Sequence, residues 1–266
     1  MRSGHMLRPL IAVFVAAAAA VGWAGGHASA PAAPAIPLEG TGVEGETTLR
    51  DADGRIMVAN FRLVEPGRLY RASSFPVNAT LDTPEGRRPA PAAYVGPAFF
   101  DLLRARNVRQ VVTLDEADHA FYAEEGYYRY WTERTGYAIT LTHIPVAADD
   151  AYGRDDLSGL HAGAMLVSMM RGRAADQGAV LVHGDAGKDG LGIAVAVYET
   201  WRNHAWTDRE TLWQQVTARY VLSNRLLRDT GSLLGESVKC PSGQEGYVCP
   251  EWLSPLRGDV EFIAKL

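Results

Sequence analysis

A glycine-rich segment joins an apolar run to a helical pattern at residues 180–199, which read VLVHGDAGKDGLGIAVAVYE. The run Ala179–Val182 is apolar without alternation, which predicts a central strand of a parallel sheet. The residues after Gly192 predict a helix. A glycine-rich turn at a helix N-terminus directs several backbone N–H groups at one point, and the helix dipole adds positive potential there. The segment therefore predicts an anion-binding loop, with Lys188 as an added positive charge.

Four glycines give the predicted loop its conformational freedom, because glycine accepts positive φ and leaves room for an anion. These glycines are Gly184, Gly187, Gly190 and Gly192.

The stretch HGDAGKDGLG resembles the active-site loop of the cysteine-dependent tyrosine and dual-specificity phosphatases, most closely the bacterial branch with the signature H-C-x-A-G-K-D-R-T-G. The matching residues are His183, Ala186, Gly187, Lys188, Asp189 and Gly192. Other segments resemble the family in the same order, namely ANFRLVEPGRLYRAS, VRQVVTLD and the acidic loop at 149–156. The resemblance spans residues 55–228. It implies a phosphatase-like fold whose ligand loop comprises His183, Gly184, Asp185, Ala186, Gly187, Lys188, Asp189 and Gly190.

The departures from the family fall on the residues that carry its chemistry. Gly184 stands where the family has its nucleophilic cysteine, Gly190 replaces its phosphate-binding arginine, and Leu191 replaces its threonine. The family mechanism needs a thiolate that attacks phosphorus, and glycine has no side chain for this step. The arginine fork stabilises the transition state, and its loss costs several kcal/mol. Ordinary phosphocysteine catalysis is therefore not expected.

Acidic residues and a histidine offer a different chemistry around the same loop. If the protein is an enzyme, the acid and base candidates are His183, Asp185, Asp149 and Asp150, with Asp155 and Asp156 nearby in the acidic loop. Histidine titrates near neutral pH and suits proton transfer. The alternative is that His183 orders the loop by hydrogen bonding, as the resemblance implies, and that Asp185 is a solvated turn residue.

Three functions follow from these residues. The first is a pseudophosphatase that binds a small phosphorylated or other anionic ligand, or a phosphoprotein, without turnover. The second is an enzyme with re-purposed, cysteine-independent acid–base chemistry in the same pocket. The third is a vestigial domain that serves protein–protein contact.

The N-terminal residues indicate export. Arg2 and Arg8 precede the apolar run LIAVFVAAAAA, and small residues follow, which is the layout of a signal peptide over residues 1–30. The proline-rich stretch 31–50 predicts a linker, and residues 51–266 predict the phosphatase-like domain. No second apolar segment is long enough to span a membrane. The formal net charge of −5 argues against a nucleic-acid partner.

Two cysteines, Cys240 and Cys249, lie in the segment KCPSGQEGYVC. In an exported protein they predict a disulfide. A zinc site has little support, because no further cysteine and no H-x-x-x-H spacing is present. We expect no cofactor.

The alternation of strands and helices predicts an α/β sandwich with a mostly parallel central sheet flanked by helices. A turn at Glu65–Arg68 predicts a hairpin. Further strands are expected at VRQVVTLD and AITLTHIPV. Helices are expected at 97–106, 117–135, 157–172 and 208–228, the last with Thr207 and Glu210 as a capping box.

Overall fold

The computed structural model describes residues 47–50, 56–73, 80–83, 86–89, 96–114, 118–144, 146, 157–184, 188–227 and 237–266. These residues belong to one compact unit, Ala35–Leu266. The predicted signal peptide and the linker up to residue 46 lie outside the described residues. The same holds for Asp149, Asp150, Asp155, Asp156, Asp185, Ala186 and Gly187.

The described strands and helices alternate along much of the chain. In chain order the strands are β1 Thr47–Arg50, β2 Ile56–Glu65, β3 Leu69–Ser73, β4 Thr80–Thr83, β5 Gly86–Pro89, β6 Val108–Thr113, β7 Thr140–His143, β8 Ala179–Gly184, β9 Val238–Lys239 and β10 Glu245–Gly246. The α-helices are α1 Ala98–Ala105, α2 Asp118–Thr135, α3 Leu157–Arg171, α4 Asp189–Asn203, α5 Arg209–Leu227 and α6 Ser254–Ile263.

The main sheet has the strand order β1-β2-β3-β8-β6-β7. Pairing is antiparallel from β1 to β3 and parallel from β3 to β7. Helices α1 and α2 pack on one face, and α3 to α6 pack on the other. The predicted α/β class with a mostly parallel sheet flanked by helices is confirmed. Strand β8 lies inside the sheet and is buried over its whole length, so its C-terminal end is fixed from both faces.

The predicted hairpin is confirmed as β2 and β3. Its turn contains Gly67 at a φ of 68°, and the Arg68 N–H donates to the Glu65 carbonyl oxygen at 3.0 Å. Glycine suits this left-handed position because it has no Cβ. The Glu65 carboxylate accepts hydrogen bonds from the Tyr198 hydroxyl and from Arg202 Nε, both in α4. The hairpin is thereby tied to the helix that follows the predicted anion-binding loop.

Strand β1 pairs with β2 and so belongs to the sheet, although its residues fall inside the predicted linker 31–50. A segment forms a strand when it finds a partner strand, and the proline-rich composition of the predicted linker carries no information about such a partner. The other end of the sheet also differs from expectation, since β7 spans only Thr140–His143 of the predicted AITLTHIPV strand.

The start of α5 differs from the sequence prediction. The Asp208 side chain accepts the Thr211 N–H at 3.0 Å, and the helix begins at Arg209. A hydrogen bond from the Thr211 hydroxyl and, after it, this one from the Thr211 N–H lower the pKa of Asp208 below its usual value. The predicted capping box on Thr207 and Glu210 is therefore wrong. Asp208 is an equally suitable capping type and stands directly before the first helical residue.

Helix α4 begins at Asp189, earlier than the predicted start after Gly192. Gly190 and Gly192 are therefore helical, and neither is among the described residues with positive φ. Glycine is suited to these two positions because neighbouring side chains pack closely against the helix. A Cβ on Gly192 would overlap the ring of Tyr220 in α5. The freedom for positive φ that the sequence analysis noted is therefore not used at these two glycines.

Two helix glycines with the same substitution give a test of this packing. A Cβ on Gly163 of α3 would lie 2.6 Å from Val197 Cβ in α4, whereas a Cβ on Gly126 of α2 meets nothing within 4 Å. We expect Gly163→Ala to lower the free energy of unfolding by about 1–3 kcal/mol through overpacking. Gly126→Ala should raise it by about 0.5–1 kcal/mol through helix propensity. Urea denaturation measures both, and equal changes in the two variants would refute the close α3–α4 approach.

Candidate functional site

The predicted anion-binding loop lies between two fixed ends. Gly184 ends β8 and is paired in register with Ser73 of β3. The description resumes at Lys188, which directly precedes α4, and the Lys188 carbonyl oxygen accepts the Gly192 N–H at 2.5 Å. The C-terminal end of a buried parallel strand thus meets the N-terminus of a helix. This arrangement favours an anion, because free backbone N–H groups and the helix dipole point the same way.

Successive residues of β8 face opposite layers of the fold, as strand geometry requires. Val180 and Val182 pack in the layer of α3 to α6, while Ala179 and Leu181 pack in the layer of α1 and α2. The alternation puts His183 on the side of α1 and α2. The two residues that resemble the family's His-Cys pair, His183 and Gly184, therefore face different layers.

His183 lies beside a buried carboxylate of α2. Its Nε2 is 2.8 Å from Glu124 Oε1, and the same oxygen accepts a hydrogen bond from the Tyr128 hydroxyl at 2.8 Å. All three side chains are buried. Burial, followed by the negative charge of Glu124, raises the pKa of Tyr128 well above its usual value, so its hydroxyl stays protonated and keeps donating. The sequence prediction did not include Glu124 or Tyr128, because no local pattern links α2 to β8.

A row of polar residues continues from His183 along the C-terminal edge of the sheet. Thr113 of β6 is in register with His183 on one side and with His143 of β7 on the other. Residues in register on neighbouring parallel strands point to the same face of a sheet. Among the predicted acid and base residues, the structure describes only His183. Asp185, Asp149 and Asp150 lie outside the described residues.

The layer on the other side of the sheet contains a buried group of arginines that the sequence analysis missed. Arg62 Nη1 donates to Asn60 Oδ1 at 2.5 Å, and Arg62 Nη2 donates to the Arg219 carbonyl oxygen at 3.0 Å. Arg219 Nε donates to Glu199 Oε1 at 2.5 Å. Asn60 adopts a left-handed conformation with a φ of 52°, which asparagine tolerates better than most residues. The family-like Asn-Phe-Arg segment is therefore the anchor of this group.

Arg71 belongs to the same charged group and lies close to the end of β8. Its strand partner is Val182, one pleat before the Ser73–Gly184 pair. Burial lowers the pKa of Arg71 to about 10, while the charge of Glu199 opposes this shift. Burial also lowers the pKa of Arg62 well below its usual value, and the positive charge of Arg71 lowers it further.

These arginines supply a positive field next to the loop. With a pKa of about 10, Arg71 stays charged at neutral pH. Among Arg62, Arg71, Arg219 and Glu199, three positive groups share one carboxylate. Positive charge is therefore in excess within this group, and its member Arg71 is in register with Val182, two residues before the end of β8. Fixed positive charges raise the local concentration of anions.

The space beside Gly190 is closed by a neighbouring side chain. A Cβ on Gly190 would lie 2.8 Å from Val146 Cγ1. The next residue, Leu191, is buried in the core on the α3–α6 side. A longer residue at Gly190 would therefore require Val146 to move. The packing of Val146 therefore suits a glycine at this position.

Lys188 has a neighbour from the C-terminal part of the chain. The lysine is only 6% exposed, and its Nζ lies 5.9 Å from the centre of the Tyr247 ring. Tyr247 belongs to the segment between Cys240 and Cys249. The predicted disulfide between these cysteines is confirmed, with the Cα atoms 5.4 Å apart.

The disulfide is also part of the one His/Cys/Asp/Glu group among the described residues with the geometry to hold a metal ion. That group is Cys240, Cys249 and Glu251. The two sulfurs are bonded to each other and so are not thiolate donors. Glu251 Oε1 accepts the Ser242 N–H at 2.9 Å. The disulfide and this hydrogen bond explain why the three residues lie close together, without a metal ion. Within the described part of the chain, no helix combines the length and the apolar character that crossing a bilayer needs.

Comparison with known proteins gives a likeness at the level of solved structures. No family model matches the chain, and no curated protein matches it significantly. The crystal structure of Pseudomonas aeruginosa TpbA is 17% identical, covers 77% of this chain and 88% of its own, and has a TM-score of 0.39. A cysteine-to-serine variant of TpbA in complex with phosphotyrosine is 17% identical, covers 65% of this chain and 87% of its own, and has a TM-score of 0.35.

The Glu124–His183 contact predicts a large difference between two adjacent carboxylates of α2. We expect Glu124→Leu to lower the free energy of unfolding by about 3 kcal/mol, because it removes one partner of a buried charged group. Glu125 is exposed, and Glu125→Leu should change stability by less than about 0.5 kcal/mol. Urea denaturation of the two variants measures this difference. Equal midpoints would mean that the buried contact does not stabilise the end of β8.

Proposed function

We propose that the chain is an exported pseudophosphatase that binds a phosphorylated or other anionic ligand and does not turn it over. The junction of β8, Lys188 and α4 is the observation that carries this proposal. At this junction Gly184 ends a buried strand and a helix N-terminus follows. A phosphate group suits the site because helix N-termini bind it through backbone N–H groups.

The charge around the junction supports an anion over a neutral ligand. Lys188 precedes the helix, and the excess positive charge of Arg62, Arg71 and Arg219 lies on the α4–α5 side of the sheet. The ligand class is a small phosphate monoester or the phosphorylated residue of a protein. The acidic net charge of −5 does not favour nucleic acid.

The absence of turnover is supported by the residues at the two key positions. Gly184 offers no nucleophile, and the space beside Gly190 is taken by Val146. Phosphoryl transfer relies on positioned groups that stabilise the charge of the transition state. Without a thiol at Gly184 no phosphocysteine forms, so the N–H groups of the loop can hold a phosphate group but have no attacking nucleophile to assist.

The re-purposed enzyme is the less favoured candidate. His183 points to the layer of α1 and α2, where it contacts Glu124. A histidine held in that layer is a poor proton donor for a ligand bound at the α4 N-terminus on the other layer. The remaining acid and base candidates of this alternative, to be tested by mutation, are Asp185, Asp149 and Asp150.

Export is part of the proposal and has two supports. The layout of residues 1–30 is that of a signal peptide. The disulfide between Cys240 and Cys249 suits an oxidising compartment outside the cytosol.

Anion binding is tested by titration calorimetry with inorganic phosphate and O-phosphotyrosine. We expect saturable binding by the wild type. Gly187→Asp should weaken it about tenfold or more, because it adds a carboxylate to the loop. The control Asp149→Asn/Asp150→Asn should leave the affinity unchanged.

Phosphate release from aryl phosphate, a phosphotyrosine peptide, phosphoinositides and inositol phosphates is measured on the same protein samples. Turnover by the wild type that is lost in both His183→Ala and Asp185→Asn would establish the re-purposed enzyme instead. If no anion binds and loop substitutions change only stability, the domain serves another role, such as protein–protein contact.

Restoration of the family's groups gives a second prediction. We expect Gly184→Cys/Gly190→Arg/Val146→Ala to hydrolyse aryl phosphate, and the same protein without Val146→Ala to be less active because its arginine clashes with Val146. The triple variant should be at least about 100-fold faster than its Gly184→Ser counterpart, which lacks the nucleophile. Equal rates in the cysteine and serine variants would show that the scaffold no longer orients a phosphoester at Gly184.

A further inference from the structure

The C-terminal segment that contains the disulfide forms a small closed unit, the disulfide hairpin, defined as residues 238–249. Strands β9 and β10 pair antiparallel within it. The Gly243 N–H donates to the Cys240 carbonyl oxygen at 2.8 Å, and the Cys240 N–H donates to the Gln244 carbonyl oxygen at 2.7 Å. Gly243 has a φ of 85°, so the turn needs glycine. The disulfide joins the two ends of this unit.

One side chain of α5 fixes the disulfide hairpin next to Tyr247. Asn224 Oδ1 accepts the N–H groups of Tyr247 and Val248 at 2.6 and 2.8 Å. Asn224 Nδ2 donates to the Val248 carbonyl oxygen at 2.9 Å. A Cβ on Gly246 would lie 2.9 Å from Asn224 Nδ2, so the backbone approaches this amide closely. The backbone of Tyr247 is therefore held at a defined distance from α5.

The ring of Tyr247 in turn faces Lys188. The distance from Lys188 Nζ to the ring centre, 5.9 Å, lies within the range of a cation–π contact. Lys188 is almost fully buried, and a buried ammonium is costly unless neighbouring groups compensate it. The lysine stem is flexible and loses rotamer entropy when it is fixed. An aromatic face that holds the ammonium reduces the number of positions that the charge adopts.

We propose that Tyr247 is a positioning residue for the anion pocket. The disulfide hairpin presents its ring to Lys188 and so fixes the ammonium beside the N-terminus of α4, ready for a phosphate group. This inference rests on the proposed function and deepens it, because it adds a residue from outside the family-like stretch 55–228. It also makes the Cys240–Cys249 bond a determinant of ligand affinity, since the bond limits the conformations of the segment that bears Tyr247.

Reduction of the disulfide should free the segment that bears Tyr247, so that its ring no longer holds the Lys188 ammonium in place. A dithiol reductant gives two electrons and two protons to the two sulfurs. The Sγ–Sγ bond breaks and leaves two thiols, while the dithiol becomes a disulfide. The double variant Cys240→Ser/Cys249→Ser reproduces the open segment without a reductant.

Two measurements on the same variants test the proposal. The first is the affinity for inorganic phosphate by titration calorimetry. The second is the rate at which a pulse of acetic anhydride acylates Lys188, read by peptide mass spectrometry. We expect Tyr247→Leu to accelerate acylation and to weaken phosphate binding, each about five- to tenfold, which corresponds to the loss of one cation–π contact. Tyr247→Phe keeps the ring and should match the wild type in both.

Control variants distinguish the loss of the Lys188–Tyr247 contact from the effect of replacing any tyrosine by leucine. Tyr122 is an exposed tyrosine on α2, and Tyr122→Leu should leave both readouts unchanged. The double cysteine variant should behave as Tyr247→Leu does. Tyr247→Leu leaves the disulfide intact and keeps the test decisive if the double variant does not fold.

The outcomes distinguish this inference from the proposed function. If the wild type binds phosphate and Tyr247→Leu changes neither affinity nor acylation, the positioning role is overturned. If the wild type binds no phosphate, the anion-binding function is refuted. The acylation rate then decides the Lys188–Tyr247 contact alone, with faster acylation in Tyr247→Leu supporting it and an unchanged rate overturning it.

Discussion

The central position of β8 is the constraint on which the rest of the structure depends. This strand pairs with β3 on one side and β6 on the other, and all its residues are buried. Side-chain alternation then sends His183 to the layer of α1 and α2, while Gly184 ends the strand beside α4. Each layer contributes different chemistry at the same point, with a buried histidine and carboxylate in one and excess positive charge in the other.

Hydrogen bonds explain how the structure tolerates the arginine side chains Arg62 and Arg219 away from bulk water. A buried guanidinium is tolerated when hydrogen bonds satisfy it, and Arg62 and Arg219 donate to backbone carbonyl oxygens and to Asn60 and Glu199. Arg62 and Arg219 link the β2–β3 hairpin to α5 through hydrogen bonds to backbone carbonyl oxygens. In the proposed function, the same arginines would also contribute positive potential to the anion site.

The first turn of α4 is closely packed on its core side. Val146 occupies the space beside Gly190, Leu191 joins the core, and Tyr220 packs against Gly192. The absence of a side chain at Gly190 and Gly192 lets these neighbours approach without leaving a gap, and gaps in close-packed interiors are costly. Lys188 directly precedes this turn, and its ammonium lies 5.9 Å from the centre of the Tyr247 ring.

The sequence by itself determined the elements whose signals are local. Apolar runs and turn residues predicted β8, the β2–β3 hairpin, helices α1 to α5 and the disulfide, since each depends on residues close in the chain. Helix α6 was not predicted. Tertiary structure decided the pairing of β1 and the close packing of the first turn of α4, because each of these depends on a partner that local patterns do not specify. The cap of α5 is a local contact, but Thr207 and Asp208 are both suitable capping types and the sequence alone did not choose between them. Tertiary structure also decided the contacts of His183 with Glu124 and of Lys188 with Tyr247. These residues are distant in sequence and meet only because the sheet and its two helical layers bring them together. Such contacts are set by packing across the whole core and leave no periodic trace in the sequence.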